Sequence, residues 1–260
     1  MKIAICLKQT PARDSVLRLN SAANWIQETG IGYEINEPDI YALEEALRLK
    51  ESIPGSEVVV CTLGPPRAQA AIKEALAKGA DRALHLDDPA FEGLDPSGIA
   101  RVLAAALARE KPDLIVTGLQ SDDSGAGQTG VILAEILGIP HSTIIMQIKA
   151  EGGKLEVKRE LEGGWFQWIE LPLPALLTIQ SGINKPRYAT LKGIMGAKSK
   201  PVEKLTLAAL GLDASQIAPL QRITRIYAPA KKAKTEFIDG TPKEIAARLA
   251  DKLKNEARVL

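Results

Sequence analysis

A polar, glycine-rich stretch in the middle of the chain has residue types suited to anion binding. Residues 117–130 have the sequence Thr-Gly-Leu-Gln-Ser-Asp-Asp-Ser-Gly-Ala-Gly-Gln-Thr-Gly, between a strand-like run and a helical pattern. Small residues let the backbone approach a phosphate closely, and a helix N-terminus favours anions. Gln128 and Thr129 add donors, whereas Asp122 and Asp123 repel phosphate and are expected to fix the loop or contact a ribose. The stretch predicts a nucleotide site, with a capped polar loop as the alternative.

A second candidate segment opens the helix predicted over 38–50. It has the sequence Asn-Glu-Pro-Asp at 36–39, followed by Ile-Tyr-Ala-Leu-Glu-Glu-Ala. Asn36 or Glu37 is positioned to cap the helix, and Pro38 presets its first turn. Free N–H groups there can receive a ligand oxygen, although an ordinary cap needs no ligand. Glu44 and Glu45 fall on a face that the pattern predicts to be solvated, and they do not make a general acid–base pair.

A third candidate is a basic, apolar segment without a regular pattern. From Gly182 to Lys204 there are six Lys or Arg residues and one acid, although the net charge of the chain is +1. Exposed apolar groups are unfavourable unless a partner covers them, so the segment predicts a docking surface. A surface loop with a tethering hydrophobic turn is the alternative. The apolar side chains are Tyr188, Leu191, Ile194 and Met195.

Alternating strand and helix patterns position these segments. Strands are predicted at 2–7, 57–63, 82–86 and 113–117, and helices at 38–50, up to Lys78, and at 97–110 and 129–137. This alternation predicts an α/β fold, a doubly wound, mainly parallel sheet with helices on both faces. Residues 7–11 and 117–130 then follow strand ends, where such sheets bind ligands.

The second half of the chain predicts an extension and an arm. Strand patterns at 142–148, 154–161, 165–171 and 175–180 have no helices between them and indicate an antiparallel extension at the sheet edge. One or two helical turns are predicted at 205–212, an extended arm at 217–229 and an amphipathic helix at 242–258, with Thr241 as its N-cap. We therefore predict a nucleotide-binding domain over 1–200, including the recognition loop 182–200, and an arm and helix over 201–260 that wrap a partner subunit. Apolar residues expected to face that subunit are Ile217, Ile223, Ile226, Ile245, Leu249 and Leu253.

Composition narrows the function classes. With 45% hydrophobic and 25% charged residues, the chain is typical of a soluble globular protein, and the net charge of +1 does not favour nucleic acid. No apolar run approaches the ~20 residues of a membrane span, and the start shows no cleavage site, so a cytoplasmic location is predicted. Cys6 and Cys61 lie in apolar runs and indicate buried thiols. Neither His85 nor His141 has a partner at metal-ligand spacing, so no metal site and no catalytic residue are predicted.

Four ordered segments resemble the electron-transfer flavoprotein beta-subunit family. Asn-Glu-Pro-Asp at 36–39 before Ala-Leu-Glu-Glu-Ala is similar to a variant in methylotroph members that accept electrons from trimethylamine dehydrogenase. The frame Gly118-x-Gln120 with Gln128-x-Gly130 matches the family's nucleotide loop, although residues 121–125 differ from its usual Ala-Ile-Asp run. The segments Arg-Glu-Leu-Glu-Gly-Gly at 159–164 and Asn-Lys-Pro-Arg-Tyr at 184–188 complete the pattern.

The resemblance implies a non-catalytic electron carrier with an adenine nucleotide alpha hydrolase-like fold. It implies a heterodimer in which the alpha subunit holds FAD, this chain helps enclose it, and AMP is a structural cofactor of this chain. Electrons are expected from acyl-CoA or methylamine-type dehydrogenases and pass to a quinone-linked oxidoreductase, without nucleic acid or membrane insertion. Two alternatives stay open: a bifurcating flavoprotein with a second FAD in place of AMP, and a free-standing adenine-nucleotide-binding enzyme. The latter class has a Ser-Gly-Gly-x-Asp-Ser loop, which is missing after the first strand.

The resemblance also assigns residues to the two sites. The nucleotide-binding residues it implies are Cys6, Asn36, Glu37, Pro38, Asp39, Leu63, Ser121, Asp122, Asp123, Ser124, Gly125, Ala126, Gly127, Gln128, Thr129, Gly130, Val131 and Ile132. The docking residues it implies are Asn184, Pro186, Arg187, Tyr188, Leu191, Ile194 and Met195. Among the latter we expect Leu191 to be the anchor, with Lys185, Arg187 and Lys192 steering an acidic partner.

Overall fold

The computed structural model describes residues 1–229 and 235–260. The strands are β1 (Lys2–Cys6), β2 (Gln9–Pro11), β3 (Tyr33–Ile35), β4 (Glu57–Leu63), β5 (Arg82–Leu86), β6 (Leu114–Gly118), β7 (His141–Glu151), β8 (Lys154–Glu160), β9 (Phe166–Pro172), β10 (Ala175–Ile179) and β11 (Val202–Leu205). The α-helices are α1 (Glu37–Ser52), α2 (Gln69–Lys78), α3 (Pro96–Glu110), α4 (Thr129–Leu137), α5 (Leu191–Ala197) and α6 (Pro242–Asp251).

A nine-stranded sheet in the order β11-β5-β4-β1-β6-β10-β7-β8-β9 forms the centre of the fold. The strands from β11 to β7 pair in parallel, and β7, β8 and β9 pair antiparallel. The central strands are nearly continuous apolar runs because helices cover both of their faces. The predicted α/β fold with a mainly parallel sheet is confirmed.

Two apolar cores lie on opposite faces of the sheet. Residues of α1 and α2 pack on one face, and residues of α3 and α4 pack on the other. α5 lies against α2, where Gly193 is so close to the carbonyl oxygen of Ala77 that a Cβ would collide with it.

The antiparallel extension is smaller than predicted. The segments at 142–148, 154–161 and 165–171 correspond to β7, β8 and β9, but β10 lies between β6 and β7 and is parallel to both. All five side chains of β10 are buried, which suits an interior position in the sheet and not an edge. A further strand, β11, occupies the opposite edge beside β5, and only a short 3-10 turn at Ala208–Leu210 follows it.

The chain divides into two compact units. The first comprises residues 1–18 and 26–224, and the second comprises residues 19–25 and 225–260. This division differs from the predicted boundary after residue 200, because β11 belongs to the sheet and Ile217 is buried in the core that contains α3. Ile217 is therefore not one of the exposed apolar residues of an arm. The role of 201–260 in wrapping a partner stays a prediction.

The second unit contains the predicted amphipathic helix. α6 starts with a capping box in which the Thr241 hydroxyl accepts from the Glu244 N–H and the Glu244 carboxylate accepts from the Thr241 N–H. A π-turn at Lys252–Glu256 follows it. No side chain of α6 is buried, and Leu249 is 47% exposed. Part of the predicted arm, 230–234, lies outside the described residues.

Candidate nucleotide site and docking segment

The candidate nucleotide site lies at the carboxyl ends of β1 and β6, two neighbouring strands from which the sheet continues in opposite directions. From β1 the sheet continues through β4 and β5, and from β6 it continues through β10 and β7. Ligands of doubly wound sheets bind in the crevice at such a switch point, outside the carboxyl ends of the strands. The start of α1 and the loop 119–128 before α4 border this crevice.

Asp39 ties the ends of the two central strands to α1. Its Oδ2 accepts the Lys8 N–H at 2.7 Å, and its Oδ1 accepts the Gly118 N–H at 2.9 Å. A Cβ at position 118 would collide with Asp39 and Pro38, so only glycine allows this approach. Burial raises the pKa of Asp39 to about 7, and the two N–H donors oppose that rise.

Asn36 connects the start of α1 with the loop 119–128. Its Nδ2 donates to the Gln120 carbonyl at 2.9 Å, and its Oδ1 accepts the Asp122 N–H at 2.9 Å. Asn36 occupies the N-cap position, but its side chain does not cap the helix, in contrast to the prediction. Asp122 replaces it, because its Oδ2 lies 3.3 Å from the N–H of Glu37 and accepts from it. The two segments thus exchange hydrogen bonds.

Basic side chains compensate the two aspartates of the loop. Lys8 Nζ lies 2.6 Å from Asp123 Oδ1, and Arg13 pairs with both Glu37 and Asp122. Burial raises the pKa of Asp123, but the charge and hydrogen bond of Lys8 outweigh it, and the net shift is downward. Both aspartates therefore fix the loop, one of the two roles predicted for them. Lys8 and Arg13 were not among the predicted site residues. The position of 7–11 directly after a strand was a signal for Lys8, and no pattern in the sequence marked Arg13.

The rest of the loop leaves the start of α4 accessible. Residues 124–128 are exposed, and Gly125 and Gly127 have φ angles of 59° and 61° that favour glycine. The first N–H groups of a helix have no acceptor within it, so α4 presents donors at the crevice. A Cβ on Gly130 would lie 2.9 Å from side-chain atoms of both Thr117 and Thr178, so glycine allows α4 to approach the sheet.

The other predicted nucleotide residues lie at strand ends or in the first turn of α4. Cys6 ends β1 and Leu63 ends β4, and Val131 and Ile132 are half-buried. Cys6 pairs in register with Cys61, and both are buried free cysteines, as predicted. A hydrogen bond with Cys61, together with burial, raises the pKa of the Cys6 thiol.

The predicted docking residues form a short exposed helix and the segment before it. Thr190 caps α5 by accepting the Gly193 N–H at 3.0 Å. Tyr188 is 92% exposed, Leu191 76% and Met195 67%, and Ile194 is also exposed. Among the residues of α5, Ala197 is buried. An exposed cluster of this kind is typical of a surface that binds a partner.

Polar contacts to α1 hold the segment before α5. The guanidinium of Arg187 pairs with the carboxylates of Glu44 and Glu51, and Asn184 donates to the Tyr41 carbonyl and to Glu45. Glu44 and Glu45 are buried, so the solvated face predicted for them is wrong. Glu44 also pairs with Arg48 one turn along α1, but Arg187 and Asn184, which cover the two carboxylates, lie about 140 residues further along the chain, and the sequence pattern missed them.

Alternative site chemistries find little support among the described residues. No group of three or more His, Cys, Asp or Glu side chains there is arranged to hold a metal ion. Nε2 of His85 lies 3.0 Å from the Gly64 carbonyl, within the fold.

None of the described helices is both long and apolar enough to cross a membrane.

The fold defines a class, the doubly wound α/β proteins, whose ligands bind at the switch point of a parallel sheet. The family described as electron transfer flavoprotein domain matches residues 23–210. An electron transfer flavoprotein subunit beta from Methylophilus methylotrophus is 40% identical over 255 residues, covering 96% of each chain. The chain belongs to the electron-transfer flavoprotein beta-subunit family, and the predicted family is confirmed.

Two further relatives cover nearly the whole chain. A caffeyl-CoA reductase-Etf complex subunit, CarD, from Acetobacterium woodii is 38% identical over 265 residues, covering 98% of this chain and 99% of the relative. An electron transfer flavoprotein subunit beta from Bradyrhizobium diazoefficiens is 35% identical over 261 residues, covering 100% of each chain. The similarity therefore extends beyond the matched domain to both ends of the chain.

The raised pKa of Asp39 gives a testable dependence of stability on pH. Between pH ~4 and 7 the folded state keeps a proton that the unfolded state has released, so this contribution to stability falls as pH rises and levels off above pH 7. Relative to Asp39→Asn, which cannot titrate, wild type should lose up to about 1.4 kcal/mol of unfolding free energy per pH unit in this window. Unfolding by urea at a series of pH values measures the difference. A difference that does not vary with pH would show that Asp39 is ionised throughout.

Proposed function

We propose that this chain is the beta subunit of a heterodimeric electron-transfer flavoprotein. In this role it binds AMP as a structural cofactor and helps enclose the FAD of an alpha subunit. Partner dehydrogenases of the acyl-CoA or methylamine type dock on it, and electrons pass on toward a quinone-linked oxidoreductase in the cytoplasm. The chain contributes binding and positioning, whereas the flavin supplies the redox chemistry. The observation that carries the proposal is the loop 119–128, whose aspartates are paired with basic side chains. The loop closes on α1 and leaves the start of α4 accessible.

The geometry of the loop supports a ligand with one phosphate. Asp122 already occupies the start of α1, because it accepts the Glu37 N–H. The start of α4 is then the helix end that remains for an anion, beside Gly125 and Gly127, whose positive φ angles favour glycine. Pairing of Asp123 with Lys8 reduces the repulsion that an isolated carboxylate would exert on a phosphate. A single helix start suits AMP better than the pyrophosphate of a dinucleotide.

A second candidate is a bifurcating flavoprotein in which a second FAD replaces AMP. Its support is the relative from Acetobacterium woodii, which is named as a subunit of a reductase-Etf complex. The residues 121–125, which differ from the family's usual run, lie at the position where the two nucleotides would be distinguished. A free-standing adenine-nucleotide-binding enzyme has less support. The relatives that match nearly the whole chain are named as electron transfer flavoprotein subunits.

Ligand release distinguishes these candidates. The chain is co-expressed with the alpha subunit, and the purified complex is denatured, chromatographed and weighed by mass spectrometry. We expect AMP and FAD in equal amounts, because this chain offers one phosphate site and the alpha subunit one flavin site. Two FAD per heterodimer without AMP would establish the bifurcating alternative. A chain that binds nucleotide but no alpha subunit would contradict both.

The C-terminal region is proposed to contact the alpha subunit. α6 has apolar positions at Ile245 and Leu249, and none of its side chains is buried within the described residues. An amphipathic helix normally buries its apolar face, so a partner surface is the simplest cover for this one. This agrees with the proposed heterodimer and places the docking segment on a different element, α5.

A further inference from the structure

A network of hydrogen bonds connects α1 to the segment before α5. Arg187 donates to Glu44 through its backbone N–H, at 3.1 Å, and through its side chain, with Nε at 2.8 Å and Nη2 at 3.1 Å. Asn184 Nδ2 lies 2.9 Å from the Tyr41 carbonyl and 3.0 Å from a Glu45 carboxylate oxygen, and donates to both. We call Asn184, Arg187, Glu44 and Glu45 the α1 brace.

The inner part of the α1 brace is shielded from water. The side chain of Glu44 is 6% exposed, whereas that of Glu51, the outer partner of Arg187, is 59% exposed. A buried ion pair with several hydrogen bonds is costly to break by removal of one partner, whereas an exposed pair contributes little. Arg187 offers a planar fork that lysine lacks, and this fork binds Glu44 through two nitrogens. The Glu44 pair therefore fixes the position of Arg187, and the Glu51 pair adds little.

The helix that follows packs against α2 but leaves most of its side chains exposed. α5 has seven residues, too few to be stable in isolation, and Ala197 at its end is its buried side chain. The close approach of Gly193 to the Ala77 carbonyl holds the middle of α5 against α2. Leu191 begins α5 only four residues after Arg187, so a displacement of Arg187 moves Leu191. The direction in which Leu191 projects thus depends on the α1 brace.

We infer that Arg187 is a positioning residue for partner docking, which holds Leu191 in its binding orientation through the buried carboxylate of Glu44. This inference rests on the proposed function, because it presumes that Leu191 contacts a donor dehydrogenase. It changes the role of Arg187 from one of three steering charges to an internal support. Steering of an acidic partner then falls to the exposed Lys185 and Lys192.

The test compares variants of the purified heterodimer as electron acceptor for its donor dehydrogenase. Arg187→Met and Glu44→Gln should each raise the apparent KM for the flavoprotein at least about fivefold, with kcat within about twofold, because docking is impaired and the flavin is untouched. Glu51→Gln, the matched control, removes only the exposed pair and should change KM less than about twofold. Flavin and nucleotide content should equal those of wild type in all three.

A second readout separates positioning from general destabilisation. Amide hydrogen exchange of residues 189–197 should accelerate in Arg187→Met and Glu44→Gln, while exchange in β1, β4 and β6 stays unchanged. Combining Arg187→Met with Leu191→Ala should give a KM no higher than that of the worse single variant, because both changes remove the same contact. Arg187→Lys should restore little, because an ammonium cannot bind two carboxylate oxygens through a fork.

Failure of the inference can be distinguished from failure of the proposed function. If Leu191→Ala raises KM but Arg187→Met does not, docking stands and the positioning role is overturned. If the two increases in KM multiply in the double variant, the positioning role is also overturned. Uniform acceleration of amide exchange across the sheet would overturn it as well. If Leu191→Ala itself has no effect, the docking role of α5 fails, and the inference fails with it.

Discussion

Replacing Leu191 by alanine should slow reduction by the donor dehydrogenase at least about tenfold, while flavin content and melting temperature stay near wild type. Leu191 is 76% exposed at the start of α5, beside Tyr188 and Met195. Truncating an apolar anchor in an interface often costs about 2 kcal/mol or more, and 1.4 kcal/mol corresponds to about tenfold. The measurement is the second-order rate constant of flavin reduction under stopped flow.

A matched control uses another exposed aliphatic side chain. Val16 is 77% exposed in the loop between β2 and β3, so Val16→Ala removes methyl groups of similar exposure without touching α5. It should leave the rate constant within about twofold of wild type, because most exposed substitutions are nearly neutral. Higher ionic strength should slow wild type, since salt screens Lys185 and Lys192. A Leu191→Ala protein that loses flavin or melts early, yet transfers normally per flavin, would make the residue structural.

Replacing Asn36 by alanine should release most of the nucleotide from the complex. Asn36 is 1% exposed and holds both the Gln120 carbonyl and the Asp122 N–H. Alanine leaves both groups without this partner. Each group that remains buried and unpaired costs about 1–3 kcal/mol of free energy. Since these groups shape the loop before α4, nucleotide affinity should fall by a factor on the order of a hundred. Dialysis followed by quantification of nucleotide per heterodimer measures the loss.

The control for this change is an exposed asparagine of the second compact unit. Asn24 is exposed in the segment 19–25, and its side chain contacts the neighbouring Asn20. Asn24→Ala should retain the full nucleotide content after the same dialysis. Full nucleotide retention by Asn36→Ala, accompanied by a lower melting temperature, would instead show that Asn36 only stabilises the fold. Electron transfer per bound flavin should be unaffected in either variant, because α5 lies on a different part of the chain.

Local sequence determined the elements of this protein. The strands at 57–63 and 82–86 and the helix at 129–137 have the predicted bounds, because hydrophobic periodicity and terminating glycines act over a few residues. Gly79 and Gly138 follow the predicted helix ends and have positive φ, and Thr241 caps α6 as predicted. Two of the candidate segments, 36–39 and 117–130, meet in the structure at the crevice, as the order of strands in a doubly wound sheet requires.

Only the tertiary structure decided which distant groups pair. Strand β10 entered the sheet between β6 and β7, although the absence of a helical pattern before it had predicted a place in the antiparallel extension. Asp122, and not Asn36, caps α1, and Arg187 buries the carboxylate of Glu44 that periodicity placed in water. A residue's own neighbours specify its helix or strand, but a buried charged group needs partners, and here the partners of Asp39, Glu44 and Glu45 include groups from elsewhere in the chain. Which remote groups meet depends on how the sheet brings distant segments together, and the local sequence pattern does not determine it.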